Sequence, residues 1–248
     1  MSTTIPKTSS ALQTLLRADF TTQWRNRRSV ILVLLVPVLI LISWKGLVKT
    51  FGGPFVISNC ITVGLVAIGL MGYSIAIARD RDKGVFQRLR VAPVPTWSIM
   101  VSRLMVQLAM ILLLTIVSFY VAYKEDNIIL TNSGYALGIL ASIIGGALYL
   151  GLGQMIVGLV KNSETVNSTT RLIYFAFIMV GMFGQFGSYE KVKTIVHWSP
   201  YGTVKNLISA SLNPVTWTND TTMCLLATIA YALVFAIIGI KGFRWNSR

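Results

Sequence analysis

The chain has 248 residues, of which 54% are hydrophobic and only 12% are charged, and its mean hydropathy is +0.68. A composition this apolar excludes an ordinary soluble globular domain and indicates an integral membrane protein. The net charge of +14 could indicate nucleic-acid binding. However, the basic residues alternate with apolar runs, so membrane topology and anionic lipid headgroups explain them better, and no nucleic-acid partner is expected.

Residues 1–29 form a polar lead that contains one amphipathic helix. Its apolar side chains recur at helical spacing, at Leu12, Leu15, Leu16, Phe20 and Trp24. We predict that this helix lies in the cytoplasmic membrane interface, although an ordinary packed helix would show the same stripe. The first long apolar run begins near residue 30, which is late for a cleavable signal peptide.

Residues 30–248 are predicted to form a single all-α transmembrane domain. A bilayer core about 30 Å thick requires about 20 helical residues to cross it. Six runs serve as predicted spans, at residues 30–44, 58–78, 100–122, 134–160, 172–186 and 221–240. The external segment before the last span contains an apolar stretch from Val204 to Ser209, which predicts a re-entrant or interfacial helix.

The distribution of lysine and arginine predicts the orientation of the spans. Most of the 22 basic residues lie before the first predicted span, after the second and fourth, and after the last. Because such residues are retained on the cytoplasmic side, both termini are predicted to be cytoplasmic.

The predicted spans lack the residues that most membrane catalysis and ion coupling require. They contain no acidic residue and no histidine, which argues against a proton- or sodium-coupled carrier, although backbone carbonyls and hydroxyls can also bind sodium. No HExxH, GxSxG or GxxxxGK[ST] motif is present, so no catalytic site, metal site or bound cofactor is expected in this chain. His197 beside Trp198 is interpreted as an interfacial residue, and Cys60 and Cys224 as small apolar residues.

The fourth predicted span carries marks of close helix packing. Ala141 with Gly145, and Ala147 with Gly151, have the spacing of small residues that lets helix backbones approach. Gln154 in the same span is either a substrate contact or a hydrogen-bond partner for a neighbouring helix.

A charged segment, residues 79–95, separates the second and third spans. Within a predicted helix from Asp80 to Arg90, the apolar residues Val85, Phe86 and Leu89 share one narrow face, and Pro93 ends the helix. Gly84 within this helix indicates either a local break or a close approach of another backbone. A solvated loop that only sets topology is the alternative, but an apolar face requires something to cover it.

This segment resembles the loop of the permeases of the second class of bacterial ABC transporters, which have the type V exporter fold. The family pattern is an acidic residue, a Gly-Thr pair, a leucine and a Ser/Thr-Pro pair. Here it reads Asp80, Gly84-Val85, Leu89 and Ala92-Pro93, with valine and alanine as departures. The amphipathic N-terminal helix, the six spans and the long external segment resemble the family over the whole chain.

The resemblance implies a permease subunit without enzymatic activity in a bacterial cytoplasmic membrane. It implies a permease homodimer associated with separate ATPase subunits, which bind ATP and Mg. The loop at about residues 79–99 would then be a coupling helix that docks on the ATPase. Its contacts would come from Asp80, Arg81, Gly84, Val85, Phe86, Arg88, Leu89, Arg90 and Pro93, with Val85, Phe86 and Leu89 as apolar anchors and the arginines as a charged rim.

Family members carry substrate along surfaces of spans two and five. By position, the pathway residues would be Asn59, Thr62, Tyr73, Tyr174, Phe177 and Gln185, and Gln154 of the fourth span is added to them as a candidate substrate contact. A path without fixed charges favours an amphipathic, drug-like, antibiotic or lipid-like substrate. The alternatives are a polysaccharide or glycolipid exporter, and a membrane sensor or immunity protein that does not pump.

Overall fold

The structure is a computed structural model that describes residues 8–87, 96–186 and 189–242. These residues form helices and short connections without a strand, which confirms the predicted all-α fold. The principal helices are α1 (Thr8–Arg25), α2 (Arg27–Ser43), α3 (Val48–Phe51), α4 (Gly53–Asp82), α5 (Thr96–Asp126), α6 (Asn132–Leu159), α7 (Ser163–Phe186), α8 (Glu190–Trp198), α9 (Pro200–Leu212) and α10 (Asn219–Gly242).

Four described helices are long and apolar enough to cross a membrane, namely α4, α5 from Ser98, α6 and α10. A fifth span is possible if Val33–Ser43 and Lys45–Phe51, which meet at 50°, cross together. The predicted span at residues 172–186 lies in α7, which is not among these candidates. The count of six therefore stays a prediction.

Helix α4 is the central helix of the bundle. Its most apolar stretch is 78% buried, whereas that of α10 is only 17% buried. Helix α4 begins with Pro54 in its first turn, where a missing N–H costs nothing. It changes to π-helical geometry over Ala67–Ser74, and the Ser74 hydroxyl donates to the Gly69 carbonyl at 3.0 Å. Such π segments occur frequently at functional sites, and the sequence pattern did not predict this one.

Helices α6 and α10 form an extensive and close packing contact. A Cβ atom built on Gly158 would lie 2.6 Å from the Gly239 carbonyl oxygen, so no larger residue fits without separating the helices. A Cβ atom on Gly151 would lie 3.0 Å from the Ala232 carbonyl oxygen. The prediction that the small residues of this span support close packing is confirmed.

Helices α8 and α9 form the segment before the last span. Ser199 caps α9 by accepting a hydrogen bond from the Gly202 backbone at 3.1 Å, and Pro200 follows at the first helical position. Val204, Leu207 and Ile208 are almost fully buried, and α9 packs on α4, α6 and α10. The predicted apolar helix around residues 204–209 is therefore present, inserted among membrane-crossing helices.

Helix α1 packs along α5 and confirms the predicted N-terminal helix. Phe20 and Trp24 on its apolar stripe are 44% and 66% exposed. An exposed aromatic stripe on a helix attached to a membrane bundle is typical of an interfacial helix.

Candidate functional site

The charged segment begins with a turn at the end of α4. Helix α4 continues to Asp82, and Gly84 follows in the left-handed region at φ 65°. The Gly84 N–H donates to the Arg81 carbonyl at 3.0 Å, and one helical turn resumes at residues 85–87. The predicted helix from Asp80 to Arg90 is therefore interrupted at Gly84, and of the two alternatives for this glycine the local break is observed.

Arg81 fastens this turn to the end of α6. Its guanidinium donates to the carbonyls of Val157 at 2.8 Å, Val160 at 2.8 Å and Lys161 at 2.6 Å. The last carbonyls of a helix have no partner within it, and a cation there is favoured by the helix dipole. Only 4% of Arg81 is exposed, so in this structure its charge is directed to the end of α6; its predicted place in the charged rim of the coupling helix stays a prediction.

Phe86 is also inside the fold. It is 1% exposed and belongs to the main hydrophobic cluster of the chain, and its predicted role as an apolar anchor for the ATPase stays a prediction. Apolar burial within the chain outweighs its position in a charged segment. Val85 is half-buried and Gln87 is exposed beside it. Arg88, Leu89, Arg90 and Pro93 lie outside the described residues, so their predicted coupling role stays a prediction.

A chain of ion pairs joins the N-terminal helix to the same region. Arg103 of α5 contacts Asp80 at 2.8 Å and Asp19 of α1 at 3.3 Å. The Ser102 hydroxyl donates to Asp19 at 2.6 Å. Burial raises the pKa of Asp19, although the Ser102 hydrogen bond and the charge of Arg103 act in the opposite direction. One arginine thus connects α1, the end of α4 and the start of α5.

An apolar cavity of about 470 Å³ lies between α4, α5, α6 and α10. Tyr73 and Gln154, two of the predicted pathway residues, line it, and the Tyr73 hydroxyl donates to Gln154 Oε1 at 2.7 Å. Tyr73 lies in the π-helical segment of α4. Leu104 and Met105 on the α5 side are 40% and 45% exposed, so the cavity is open toward the outside of the bundle.

Of the other predicted pathway residues, Asn59, Thr62, Tyr174 and Phe177 do not line this cavity. Asn59 and Thr62 are buried, and the Thr62 hydroxyl donates to the Ser58 carbonyl of its own helix at 2.7 Å. Asn59 accepts a hydrogen bond from the Tyr201 hydroxyl at 3.2 Å. Phe177 packs edge-on against Tyr149 at 5.9 Å, and Tyr174 is half-buried on the same helix, α7. The side chain of Gln185 lies outside those that the structure describes.

Sequence reasoning missed three residues that organise these sites. Arg103 is the only charged residue within a predicted span. A charge in such a position usually has a partner of opposite charge, so the sequence could have predicted that Arg103 forms an ion pair. Tyr149 and Tyr201 are fully or almost fully buried, and Tyr149 donates to the Pro200 carbonyl at 3.2 Å. No sequence pattern pairs tyrosines that lie on α6 and α9.

Comparison with known proteins agrees with this layout. The family model described as "ABC-2 family transporter protein" matches residues 45–241, which contain the turn at Gly84, both tyrosines and the apolar cavity. A comparison with curated proteins gives no match. Because the family model covers well over half of the chain, the protein belongs to the ABC-2 family of transporter membrane proteins and is a permease subunit of an ABC transporter.

Proposed function

We propose that this permease subunit exports an amphipathic substrate, driven by a separate ATPase subunit that binds ATP and Mg and docks on the turn at Gly84. Two copies of the permease form the transport unit in a bacterial cytoplasmic membrane. Both termini and the docking turn face the cytoplasm, next to anionic lipid headgroups.

The attachment of the Gly84 turn to several helices is the observation that carries this proposal. Arg81 holds the turn to the end of α6, and the Asp80–Arg103 pair holds it to α5. A force applied at the turn therefore reaches α4, α5 and α6 together. An ATPase whose closed state favours one arrangement of this turn can shift the equilibrium of the membrane helices.

The apolar cavity supports an amphipathic substrate. Most of its lining is aliphatic, and Tyr73 and Gln154 supply a hydroxyl and an amide at one side. Large apolar sites with a few polar groups bind amphipathic molecules, whereas sugars require many hydrogen-bond partners. A polysaccharide or glycolipid exporter is the alternative, and purified lipid-like, drug-like and oligosaccharide compounds can be compared by their stimulation of ATPase activity.

Docking is tested by two substitutions of the same kind at opposite ends of the bundle. Val85→Asp places a carboxylate beside the Gly84 turn, while Val215→Asp places one at a valine that is 94% exposed before α10. Val215 precedes the first residue of α10. The last turns of α10 pack on the end of α6, where Arg81 binds the carbonyls and holds the Gly84 turn. The two substituted positions therefore lie near opposite ends of α10.

We expect the wild-type chain to co-purify with an ATPase after mild detergent extraction. Val85→Asp should reduce the co-purified ATPase activity at least tenfold, and Val215→Asp should leave it within twofold of wild type. Equal activity in both variants would contradict docking at this turn. A chain that purifies alone, with normal function after the segment is scrambled, would favour a sensor or immunity protein that does not pump.

A further inference from the structure

Three potential metal ligands meet at the end of the bundle opposite the Gly84 turn. His197 comes from the last turn of α8, and Asp220 and Cys224 come from the first turns of α10. His197 Nε2 lies 3.1 Å from Asp220 Oδ1 and 3.7 Å from Cys224 Sγ. All three ligand atoms lie within 4.8 Å of one another.

The two distances from His197 Nε2 are close to the corresponding edges of a tetrahedral zinc site. Zinc binds histidine nitrogen at about 2.0–2.1 Å, carboxylate oxygen at about 2.0–2.2 Å and thiolate sulfur at about 2.3 Å. At tetrahedral angles these bond lengths separate nitrogen from oxygen by about 3.4 Å and nitrogen from sulfur by about 3.6 Å. We propose that His197, Asp220 and Cys224 bind one Zn²⁺ ion, with water at the fourth position.

Asn206 of α9 contacts the ring nitrogen of His197 that does not face the proposed metal. Its side-chain amide nitrogen lies 3.0 Å from His197 Nδ1. When a metal occupies Nε2, the imidazole proton must be on Nδ1, and the amide then accepts it through its oxygen after a flip of the side chain. Metal-bound histidines usually have such a partner on their other nitrogen, which holds the ring in place.

The charges around the three ligands suit a divalent cation. Binding releases one proton from the Cys224 thiol, and the resulting thiolate and the Asp220 carboxylate together neutralise Zn²⁺. Lys193 pairs with Glu190 at 2.9 Å. Lys205, which lies 5.1 Å from the centre of the Phe55 ring, also interacts electrostatically with Cys224, and its positive charge favours the thiolate that the metal requires. A neutral complex is favourable here because Cys224 is fully buried.

The site is accessible to a metal from solution. The Asp220 side chain is 55% exposed and that of His197 is 31% exposed. A polar cavity of about 160 Å³ borders His197 and Asn206, and Lys193 and Lys205 also line it. Asp220 and Cys224 follow His197 by 23 and 27 residues in the chain, so none of the short metal-binding sequence motifs would predict this site. A bound ion would fasten α8 to the start of α10 and so hold the whole segment before the last span.

Cobalt binding to the full chain tests this site without reference to transport. The chain is purified in detergent without a polyhistidine tag, treated with a chelator, and titrated with Co²⁺. We expect saturation at one equivalent, a near-ultraviolet thiolate-to-cobalt charge-transfer band, and displacement of that band by Zn²⁺. Asn206→Leu should weaken Co²⁺ binding about 10–100-fold, as is typical when a partner of a metal ligand is lost.

The chain contains a matched control for the thiolate signal. Cys224→Ser should abolish the charge-transfer band, whereas Cys60→Ser should retain it, because Cys60 is buried elsewhere and its thiol donates to the Pro37 carbonyl at 3.0 Å. If Cys224→Ser does not fold, His197→Gln and Asp220→Asn decide the question by the affinity for Co²⁺. Absence of one-equivalent binding, or a band that survives Cys224→Ser, would overturn the proposal and leave only a His197–Asp220 hydrogen bond.

Discussion

Arg81 shows how a side chain in a charged segment can belong to the interior. Its neighbours Arg79 and Asp82 are exposed, yet Arg81 points to the end of α6 and binds three carbonyls there. Those carbonyls would otherwise have no partner in a partly apolar environment. The residue therefore stabilises the junction that the proposed ATPase contact would use.

We predict that Arg81→Met lowers the free energy of unfolding by about 3 kcal/mol, because hydrogen bonds to a charged group contribute about 1.5–3 kcal/mol each and are not additive. Denaturant titration in detergent micelles measures this loss. Arg79→Met is the control, since Arg79 is exposed and surface substitutions usually change stability by less than about 0.5 kcal/mol. Similar losses in both variants would show that the three carbonyl contacts are not the source.

Tyr73 and Gln154 allow a test in which both partners of a hydrogen bond are removed. Tyr73→Phe leaves the buried amide of Gln154 without the hydroxyl at 2.7 Å and should cost about 1–3 kcal/mol. The double variant Tyr73→Phe with Gln154→Leu removes the amide as well and should recover most of that loss. A double-mutant cycle of unfolding free energies measures the coupling, and simple additivity would contradict a direct contact.

At the scale of elements, α4 and the turn that follows it depart from α-helical geometry at two places. The π segment Ala67–Ser74 places Tyr73 at the apolar cavity, and the left-handed Gly84 ends the helix beyond Asp82. The π segment lies within the most buried of the candidate spans, and the Gly84 turn directly follows that helix. The surrounding helices hold these less common conformations in place, because α4 packs against α5, α6, α7 and α9.

We predict that Gly84→Ala costs about 1–2 kcal/mol, because residues with a Cβ atom are disfavoured in the left-handed region. Space is not limiting, since the nearest atom to an added Cβ is Gln87 Oε1 at 3.5 Å. Gly84→Asn should cost less, because asparagine tolerates this region. Gly46→Ala is the control, as nothing lies within 4 Å of its added Cβ, and an equal loss there would contradict backbone strain at Gly84.

At the scale of the whole molecule, the Asp19–Arg103–Asp80 chain joins the N-terminal helix to the bundle. Without Arg103, two partly buried carboxylates would face each other across α1 and α4. The attachment of α1 therefore depends on one cation that belongs to neither helix. Arg103 thus links α1 to the end of α4 that precedes the Gly84 turn.

We predict that Arg103→Met loosens α1 and increases the rate of limited trypsin cleavage after Arg17 and Arg25 severalfold. Adding Asp19→Asn should recover part of the protection, because it removes one of the two facing carboxylates. Lys45→Met is the control, since it breaks the largely exposed Lys45–Glu125 pair at 3.4 Å, and such pairs contribute little. Unchanged cleavage in Arg103→Met would show that apolar packing alone holds α1.

Hydropathy and helical periodicity determined the membrane class, the all-α fold, the N-terminal helix and the helix before the last span. These properties follow from composition and from residues within a few turns of each other, so they can be predicted from sequence. The coupling role of residues 79–95 was implied only by the family resemblance, through Asp80, Gly84-Val85, Leu89 and Ala92-Pro93, and it stays a prediction. The number of spans stays a prediction, because residues 172–186 and the bent pair around Trp44 are short.

Tertiary structure alone decided which of the marked residues face outward. Arg81 binds carbonyls 76 to 80 residues away, Tyr73 binds an amide 81 residues away, and His197 meets Cys224 across 27 residues. The burial of Phe86 likewise depends on helices that are distant in the chain. Local patterns carry no information on such pairings, because each depends on how the helices pack, and packing is set by all their surfaces together.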